Sequence, residues 1–473
     1  MIALAALGYL LSAATAALLI AALWPAALSR RDTRALVTCL ALAMGPVAGS
    51  ASDFLRLLLL RPVPAGGWLL DGALLIAAIA AWRYRNRHQR EAQLPADGAP
   101  LTASLAHRTA WLEYPVMVGL GLALVCVVAA LVLRARIQPD GLWDAWAMWN
   151  FKARFLYFAE PNWTVIFSAQ EAGTHPDYPL LVPMTVARLW RWAGADVAWA
   201  PQVVAGGATL LTLLTLTAAV TVLRGLVLGG VAGLTLLGSN YFIKHGMSQY
   251  ADVPLSLYML AALAVLAIWH ERDRREAGLL VLAGALAGSA AWTKNEGAAF
   301  AVWFILALAV VSLGQGPQQA FRAATAAALG VAAVAWMTAT VKLGLTQTGT
   351  DLFSNLSGEV LWQRATDAER YTRIVRAGRA AWVSLTHPWS ILGALALVAL
   401  GGWRRPAGAW RALAVVGAIL ALQILTYAAV YLLTSAQLQW HLQTSVERLF
   451  AQVWPSIVLL LFLAARPLPA PQA

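Results

Sequence analysis

Long apolar segments alternate with polar connections along almost the whole chain. Most of the apolar segments approach or exceed roughly 18 residues, which lets a helix cross a bilayer core of about 30 Å. The pattern therefore predicts an all-α polytopic membrane protein with about thirteen spanning helices. The predicted spans are approximately 2–28, 35–60, 67–82, 111–133, 198–223, 225–241, 252–270, 277–293, 297–314, 322–343, 387–402, 410–432 and 450–466.

Three longer polar segments interrupt this pattern, at 134–197, 344–386 and 433–449. If the spans alternate in direction, these segments lie on one face of the membrane and most short arginine-rich loops lie on the other. Because basic loops favour the cytoplasm, the polar segments are expected on the external face. We expect a multi-pass protein of the bacterial inner (plasma) membrane whose active site faces the periplasm or exterior.

The chain also divides into two predicted parts. Residues 1–110 are predicted to form extra N-terminal transmembrane helices and a basic cytoplasmic loop. Residues 111–466 are predicted to form the functional core. Within that core, 134–197 is expected to be a long first external loop that contains juxtamembrane helices and carries the chemistry.

The composition excludes several classes of protein. Of 473 residues, 60% are hydrophobic and 12% are charged, whereas soluble domains carry about 25% charged residues. The formal net charge is +12, and we assign it to topology and lipid headgroups rather than to nucleic acid. Cys39 and Cys126 both lie in apolar segments, so neither a disulfide nor a metal site is indicated.

Two carboxylates, Asp140 and Asp144, stand four residues apart at the start of the first long polar segment. If this piece is helical, they share one face. Either one is a candidate general base, or else a helix cap or a solvated loop residue. Asp144 is the stronger candidate because Trp143 and Trp146 flank it and aromatic rings can stack on sugars. The pair also leaves open a divalent metal, held by oxygen ligands alone.

Two further charged groups stand where apolar segments begin or break. Asp252 begins a helix after an external turn. Its carboxylate is either stabilised by the helix dipole at this N-terminus or lines a cavity. Lys294 and Glu296 interrupt an apolar hairpin. They either neutralise each other, or Lys294 meets a lipid phosphate as a point charge.

Two basic patterns occur in the later polar segments. His441 and Arg448 share a helical face with the intervening Ser445, so they predict either a phosphate site or an interfacial anchor. Arg373 lies at the centre of a basic stripe with Arg370 and Arg376. That stripe predicts either an anionic partner, such as a lipid phosphate, or an interfacial helix at the headgroups.

Taken in order, these features resemble the GT-C superfamily of integral-membrane glycosyltransferases, which includes protein O-mannosyltransferases and lipid A aminoarabinose transferases. The resemblance covers about residues 110–465. The matching segments are WDAWAMWNFKARFLY around Asp144, HPDYPLL, YADVPLSL, TKNEG and HLQTSVERLF.

The resemblance implies a GT-C fold and a polyprenyl-phosphate-linked sugar donor, with an external active site and inversion at the anomeric carbon. The resemblance implies that Asp144 is the catalytic base and makes Asp140 the candidate for a second catalytic carboxylate. The expected donor-phosphate residues are Lys294, His441, Arg448 and Arg373. The expected substrate cavity is lined by Trp143, Trp146, Lys152, His175, Tyr178, Tyr250, Asp252 and Glu296.

The expected partners are the polyprenyl-phosphate sugar, membrane lipids, and a lipid, glycan or protein acceptor. No cofactor is assigned, and a divalent metal is left open. Two other functions remain as alternatives. A transporter or flippase of lipid-linked saccharide would require charged groups within the spans, for which Asp53 and Arg56 are the candidates. An oligosaccharide ligase would share the basic external residues.

Overall fold

The computed structural model describes residues 1–59, 66–92, 110–272, 276–347, 357–385 and 407–466, together with 274 and 395. The first seven α-helices are α1 (Ile2–Leu23), α2 (Ala26–Ser29), α3 (Arg34–Leu59), α4 (Gly66–Ala92), α5 (Ala110–Ile137), α6 (Asn150–Phe158) and α7 (Leu181–Ala193). A π-helical turn, Ala145–Trp149, precedes α6, and two 3₁₀ segments, Glu160–Phe167 and Ala169–Thr174, follow it.

The remaining helices form the second half of the bundle. They are α8 (Trp199–Arg224), α9 (Leu226–Leu237), α10 (Asn240–Gly246), α11 (Asp252–Glu271), α12 (Ala277–Thr293), α13 (Asn295–Leu313), α14 (Pro317–Thr340), α15 (Gly358–Thr366), α16 (Ala368–Leu385), α17 (Ala407–Leu433) and α18 (Leu438–Leu463). A second π-helical turn, Val341–Leu345, continues α14.

Local sequence explains several of these boundaries. Gly194 ends α7 with a left-handed conformation, φ +78°, which a glycine adopts without a Cβ penalty. Pro317 occupies the first turn of α14, where a missing N–H costs nothing because that N–H has no partner within the helix. Ser239 and Ser357 cap α10 and α15 by accepting backbone N–H groups of Phe242 and Val360.

Nine helices among the described residues are long and apolar enough to cross a membrane, and the bent pair α9–α10 raises this to ten. These nine match nine of the predicted spans, so an all-α polytopic membrane protein is supported, whereas a count of thirteen is not. The predicted span 225–241 is broken by a 75° bend between α9 and α10. The predicted span 277–293 is a shorter apolar helix, α12, and 387–402 lies outside the described residues.

Two of the predicted polar segments contain more helix than the sequence indicated. Residues 438–449 form the first turns of the continuous helix α18, as the helical face of His441, Ser445 and Arg448 predicted, but they are not a loop before a separate span that begins at 450. The described part of 344–386 is mostly the helices α15 and α16. The error at α18 arose because its first turns are polar, so hydropathy alone did not join them to the apolar part.

One large hydrophobic core joins the early and late helices. Ile20 of α1, Leu36 and Phe54 of α3 pack in the same cluster as the side chains of α8, α11 and α12. Helix α11 lies at its centre, since its whole apolar window is buried inside the protein. The residues at the ends of α11 therefore face protein groups, and any charge there must be compensated by other side chains.

Candidate functional site

The candidate site is built around Asp252, the first residue of α11, whose side chain is only 1% exposed. Its Oδ1 accepts hydrogen bonds from Lys294 Nζ at 2.9 Å and from Gln452 Nε2 at 2.5 Å. Its Oδ2 accepts from Arg448, whose Nε lies at 3.0 Å. A buried carboxylate needs this number of partners because it has lost its hydration.

Arg448 of α18 links this buried carboxylate to the first polar segment. Its Nε and Nη2 both bind Asp252, while Nη1 lies 2.7 Å from Asp144 Oδ2. The guanidinium also lies over the ring of Tyr250, 4.5 Å from the centroid. Arg448 is thus clamped on two sides, and the Asp144 side is the more open one, since that side chain is 25% exposed.

Lys294 stands between two carboxylates. It lies in the break between α12 and α13 and pairs with Asp252 at 2.9 Å and with Glu296 at 2.8 Å. When ionised, two cations (Arg448 and Lys294) face three carboxylates (Asp144, Asp252 and Glu296), which leaves one net negative charge. Of the two alternatives predicted for Lys294, the ion pair with Glu296 is present. The Lys294 side chain is also buried rather than open to a ligand.

Backbone contacts fix the position of Asp144. Leu142 donates its N–H to the Ser248 carbonyl at 3.1 Å, and Gly141 is in the left-handed region at φ +76°. A Cβ at Gly141 would meet the Ser248 oxygen at 2.5 Å, so this close approach requires glycine. The Asp144 N–H then donates to the Tyr250 hydroxyl at 3.2 Å.

Asp140 and Asp144 do not share a helical face, because the backbone between them is not helical throughout. Asp140 lies in an exposed turn after α5, and the helical backbone resumes at Trp143. The turn forms because Pro139 and the left-handed Gly141 flank this residue. Trp143 and Trp146 are both largely exposed and contact each other edge to face, with centroids 4.5 Å apart.

The HPDYP segment connects the first polar segment to the break at Lys294. Asp177 accepts a hydrogen bond from Asn295 Nδ2 at 2.7 Å and lies 3.3 Å from Lys342 Nζ. His175 adopts φ +55° and stacks on Tyr178 with centroids 4.9 Å apart. The segment thus lies directly beside the residue that follows Lys294.

Lys152 of α6 is fully buried against the same segment. Its Nζ donates to the His175 carbonyl at 2.6 Å and lies 5.9 Å from the centre of the Tyr178 ring. Burial lowers the pKa of Lys152 to about 7, although the nearby Asp177 carboxylate raises it. Burial likewise raises the pKa of Tyr178 and of Tyr250, so both phenols stay protonated.

His441 and Arg373 lie away from these contacts. His441 Nδ1 is 3.1 Å from Thr434 Oγ1, and its ring meets Tyr431 edge to face. Arg373 pairs with Glu369 on its own helix and lines a surface cavity of about 300 Å³. Within the described part of the chain, neither side chain contacts Arg448 or Lys294.

The structure adds partners that the sequence did not single out. Gln452 binds Asp252 and accepts a hydrogen bond from Tyr427. Gln249 adopts φ +60° and joins Pro139 to Asn150 through its side-chain amide. Gln452 had a sequence signal, because it is a polar residue inside the apolar run of α18. No sequence signal indicated Gln249.

A second buried ionic cluster joins the early helices to α7. Asp53 lies 2.6 Å from Arg191 Nη2 and 3.3 Å from Arg188 Nη1, and Arg188 Nη2 lies 2.6 Å from Asp71. Asp53 of α3 therefore forms ion pairs with two arginines of α7. This happens because α3 and α7 pack side by side.

The fold and site together define an all-α polytopic membrane protein with a buried ionic cluster at the start of α11. No family model, curated protein or solved structure matches the chain. Among the described residues, no group of three or more His, Cys, Asp or Glu side chains is arranged to hold a metal ion.

Proposed function

We propose that the chain is an inverting glycosyltransferase that uses a polyprenyl-phosphate-linked sugar. The observation that carries this proposal is the contact of Arg448 with both Asp144 and Asp252. Through it, segments far apart in sequence meet in one cluster, in which a partly exposed carboxylate lies near the buried Lys294 and beside Arg448, whose side chain is 15% exposed. Such a cluster supplies a base and a phosphate-binding group within one side-chain length of each other.

The geometry suggests how donor binding prepares the base. Asp252 holds Nε and Nη2 of Arg448, so the arginine stays in place when its third partner changes. A donor phosphate that binds Nη1 takes the position of the Asp144 carboxylate, because both are anions that suit a guanidinium. Asp144 is then released beside Trp143 and Trp146, where it can accept a proton.

In the transfer step, the acceptor hydroxyl oxygen forms a bond to the anomeric carbon as the bond from that carbon to the phosphate oxygen breaks. Asp144 takes the hydroxyl proton, and the electron pair leaves with the polyprenyl phosphate. Arg448 stabilises the negative charge that develops on this leaving group, an effect that is larger in a water-poor site than in water. Attack opposite the leaving group inverts the anomeric centre.

The remaining parts of the proposal concern surroundings and partners. The exposed Trp143 and Trp146 rings suit the apolar face of a sugar in the acceptor or donor. The acceptor is a lipid, glycan or protein hydroxyl at the periplasmic or exterior face of a bacterial inner membrane. Arginine-rich loops on the opposite side support that orientation.

The test measures release of polyprenyl phosphate by the purified protein from a panel of radiolabelled polyprenyl-phosphate sugars, with and without EDTA. Asp144→Asn should abolish release while the protein stays folded, and the exposed Asp196→Asn is the matched control. Arg448→Ala should raise the apparent KM for the donor, and Lys294→Ala should raise it indirectly, because Lys294 pairs with the Asp252 carboxylate that holds Arg448. Turnover by Asp144→Asn at the wild-type rate would remove Asp144 as the base.

A second candidate function is a flippase for lipid-linked saccharide, which the buried cluster of Asp53, Asp71, Arg188 and Arg191 favours. Charged groups buried among spanning helices often mark a transport path. Movement of a lipid-linked sugar from one leaflet of a liposome membrane to the other, without release of polyprenyl phosphate, would support the flippase over the glycosyltransferase.

A further inference from the structure

Helix α16 has one face that packs on the bundle. Ile374 and Ala377 join the main hydrophobic core, and Ala381 is buried. A Cβ added at Gly378 would lie in van der Waals contact with Phe450 on α18, at 3.7 Å, and the Trp382 ring meets Trp454 edge to face. The spacing of three and four residues places these positions on one side of the helix.

The remaining surface of α16 is exposed and combines apolar with basic residues. Tyr371, Val375 and Val383, four and eight residues apart, are 47%, 70% and 63% exposed. Arg376 and Arg379 are also exposed, and within the described ranges neither has an ion-pair partner. Apolar residues beside unpaired arginines are typical of a helix that lies in the headgroup layer of a bilayer.

The contacts of α15 and α16 place this surface at the end of a membrane span. Arg364 Nη1 donates to the carbonyls of Leu433 and Thr434, at 2.8 and 2.7 Å, and Arg370 Nη2 donates to Tyr431 at 3.0 Å. These carbonyls belong to the end of α17, a helix apolar enough to cross the membrane. Arginines at a helix C-terminus satisfy its free carbonyls, so α16 begins where that span ends.

We propose that the exposed face of α16 is a docking surface for anionic phospholipid headgroups. Arg376 and Arg379 bind the headgroup phosphates, while Val375 and Val383 contact the upper acyl chains. Glu369 and Asp367 lie near the start of the helix, where Glu369 neutralises Arg373. The net positive charge of the surface therefore comes from the two arginines in the second half of the helix.

The first experiment asks whether the surface meets lipid. A fluorescent NBD label is attached at Val375→Cys in the full chain with Cys39→Ser and Cys126→Ser, reconstituted in phosphatidylcholine nanodiscs. The matched control label is at Asp196→Cys, in an exposed loop. We expect blue-shifted emission and quenching by doxyl lipids at position 375 only. Water-like emission at both positions would overturn the proposal.

The second experiment asks whether the surface prefers anionic lipid. Short-chain phosphatidylglycerol is titrated into the same nanodiscs, and the label at position 375 reports binding. Replacing Arg376 and Arg379 by Gln should raise the half-saturating concentration about fivefold for each arginine, or roughly 1 kcal/mol each. The matched Lys pair should keep the wild-type response, because the charge remains.

Three outcomes would contradict a surface for anionic lipid. They are an equal response to short-chain phosphatidylcholine, an unchanged titration in the Gln pair, and a response to inorganic phosphate alone as strong as that to the lipid. None of these readouts depends on glycosyl transfer, so the result stands apart from the proposed enzyme activity.

Discussion

Asp252→Asn should destabilise the protein strongly, although it changes the side chain by a single atom. In the native site, both carboxylate oxygens accept hydrogen bonds, from Lys294 and Gln452 on one side and from Arg448 on the other. An amide offers one acceptor oxygen and an NH₂ group that only donates. In either orientation, the asparagine NH₂ group therefore faces buried donors, which are Arg448 on one side or Lys294 and Gln452 on the other.

The magnitude follows from the loss of one partner in a buried ionic cluster. Removing one member of a buried ion pair costs about 3–5 kcal/mol, since the other charge is left without compensation. Here Lys294 keeps Glu296 and Arg448 keeps Asp144, so we expect the lower end, about 3 kcal/mol. Asp196→Asn, at an exposed position, should change the free energy of unfolding by about 0.5 kcal/mol or less.

The assay is a titration with a denaturing detergent in mixed micelles, followed by tryptophan fluorescence, which yields the free energy of unfolding. A double-mutant cycle with Arg448→Gln separates the pair from other effects. Because the double variant leaves fewer buried charges unpaired, the two losses should not add, and the interaction energy should be about 1–3 kcal/mol. Additive losses, or a loss in Asp252→Asn no larger than in Asp196→Asn, would refute the reasoning.

Two other predictions concern the polar segment around the site. Gly141→Ala should cost about 1–2 kcal/mol and lower turnover, because the left-handed backbone and the nearby Ser248 carbonyl both exclude a Cβ; unchanged turnover and stability would contradict this close contact. Lys152 has a folded-state pKa of about 7, below its ordinary value of 10.5. Between these values the unfolded chain binds a proton that the folded chain does not, so stability should rise with pH through this window. Below this window, the burial of the charged Lys152 destabilises the folded state by roughly 5 kcal/mol. Lys152→Met should flatten this rise in thermal unfolding curves recorded from pH 6 to 10, and a rise equal to that of the wild type would assign it to another group.

Much of the fold followed from the sequence because membrane insertion depends on local composition. A run of apolar residues long enough to cross the bilayer predicts a helix wherever it occurs. In the part of the chain that the structure describes, nine helices are long and apolar enough to span, and they coincide with predicted segments. The failures have local reasons too. The span 225–241 contains Gly238 and Ser239, which end α9 and cap α10, and the polar first turns of α18 hid its true start.

The sequence by itself determined which residues were exceptional: Asp144, Asp252, Lys294 and Arg448 are charges in or beside apolar segments, where a charge without a role is costly. Only the tertiary structure decided their partners. Arg448 reaches Asp252 across 196 residues of chain, and Asp140 is turned away by a proline and a left-handed glycine. Hydropathy and helical periodicity describe single segments, whereas an ion pair depends on how several helices pack against one another, which no local pattern encodes.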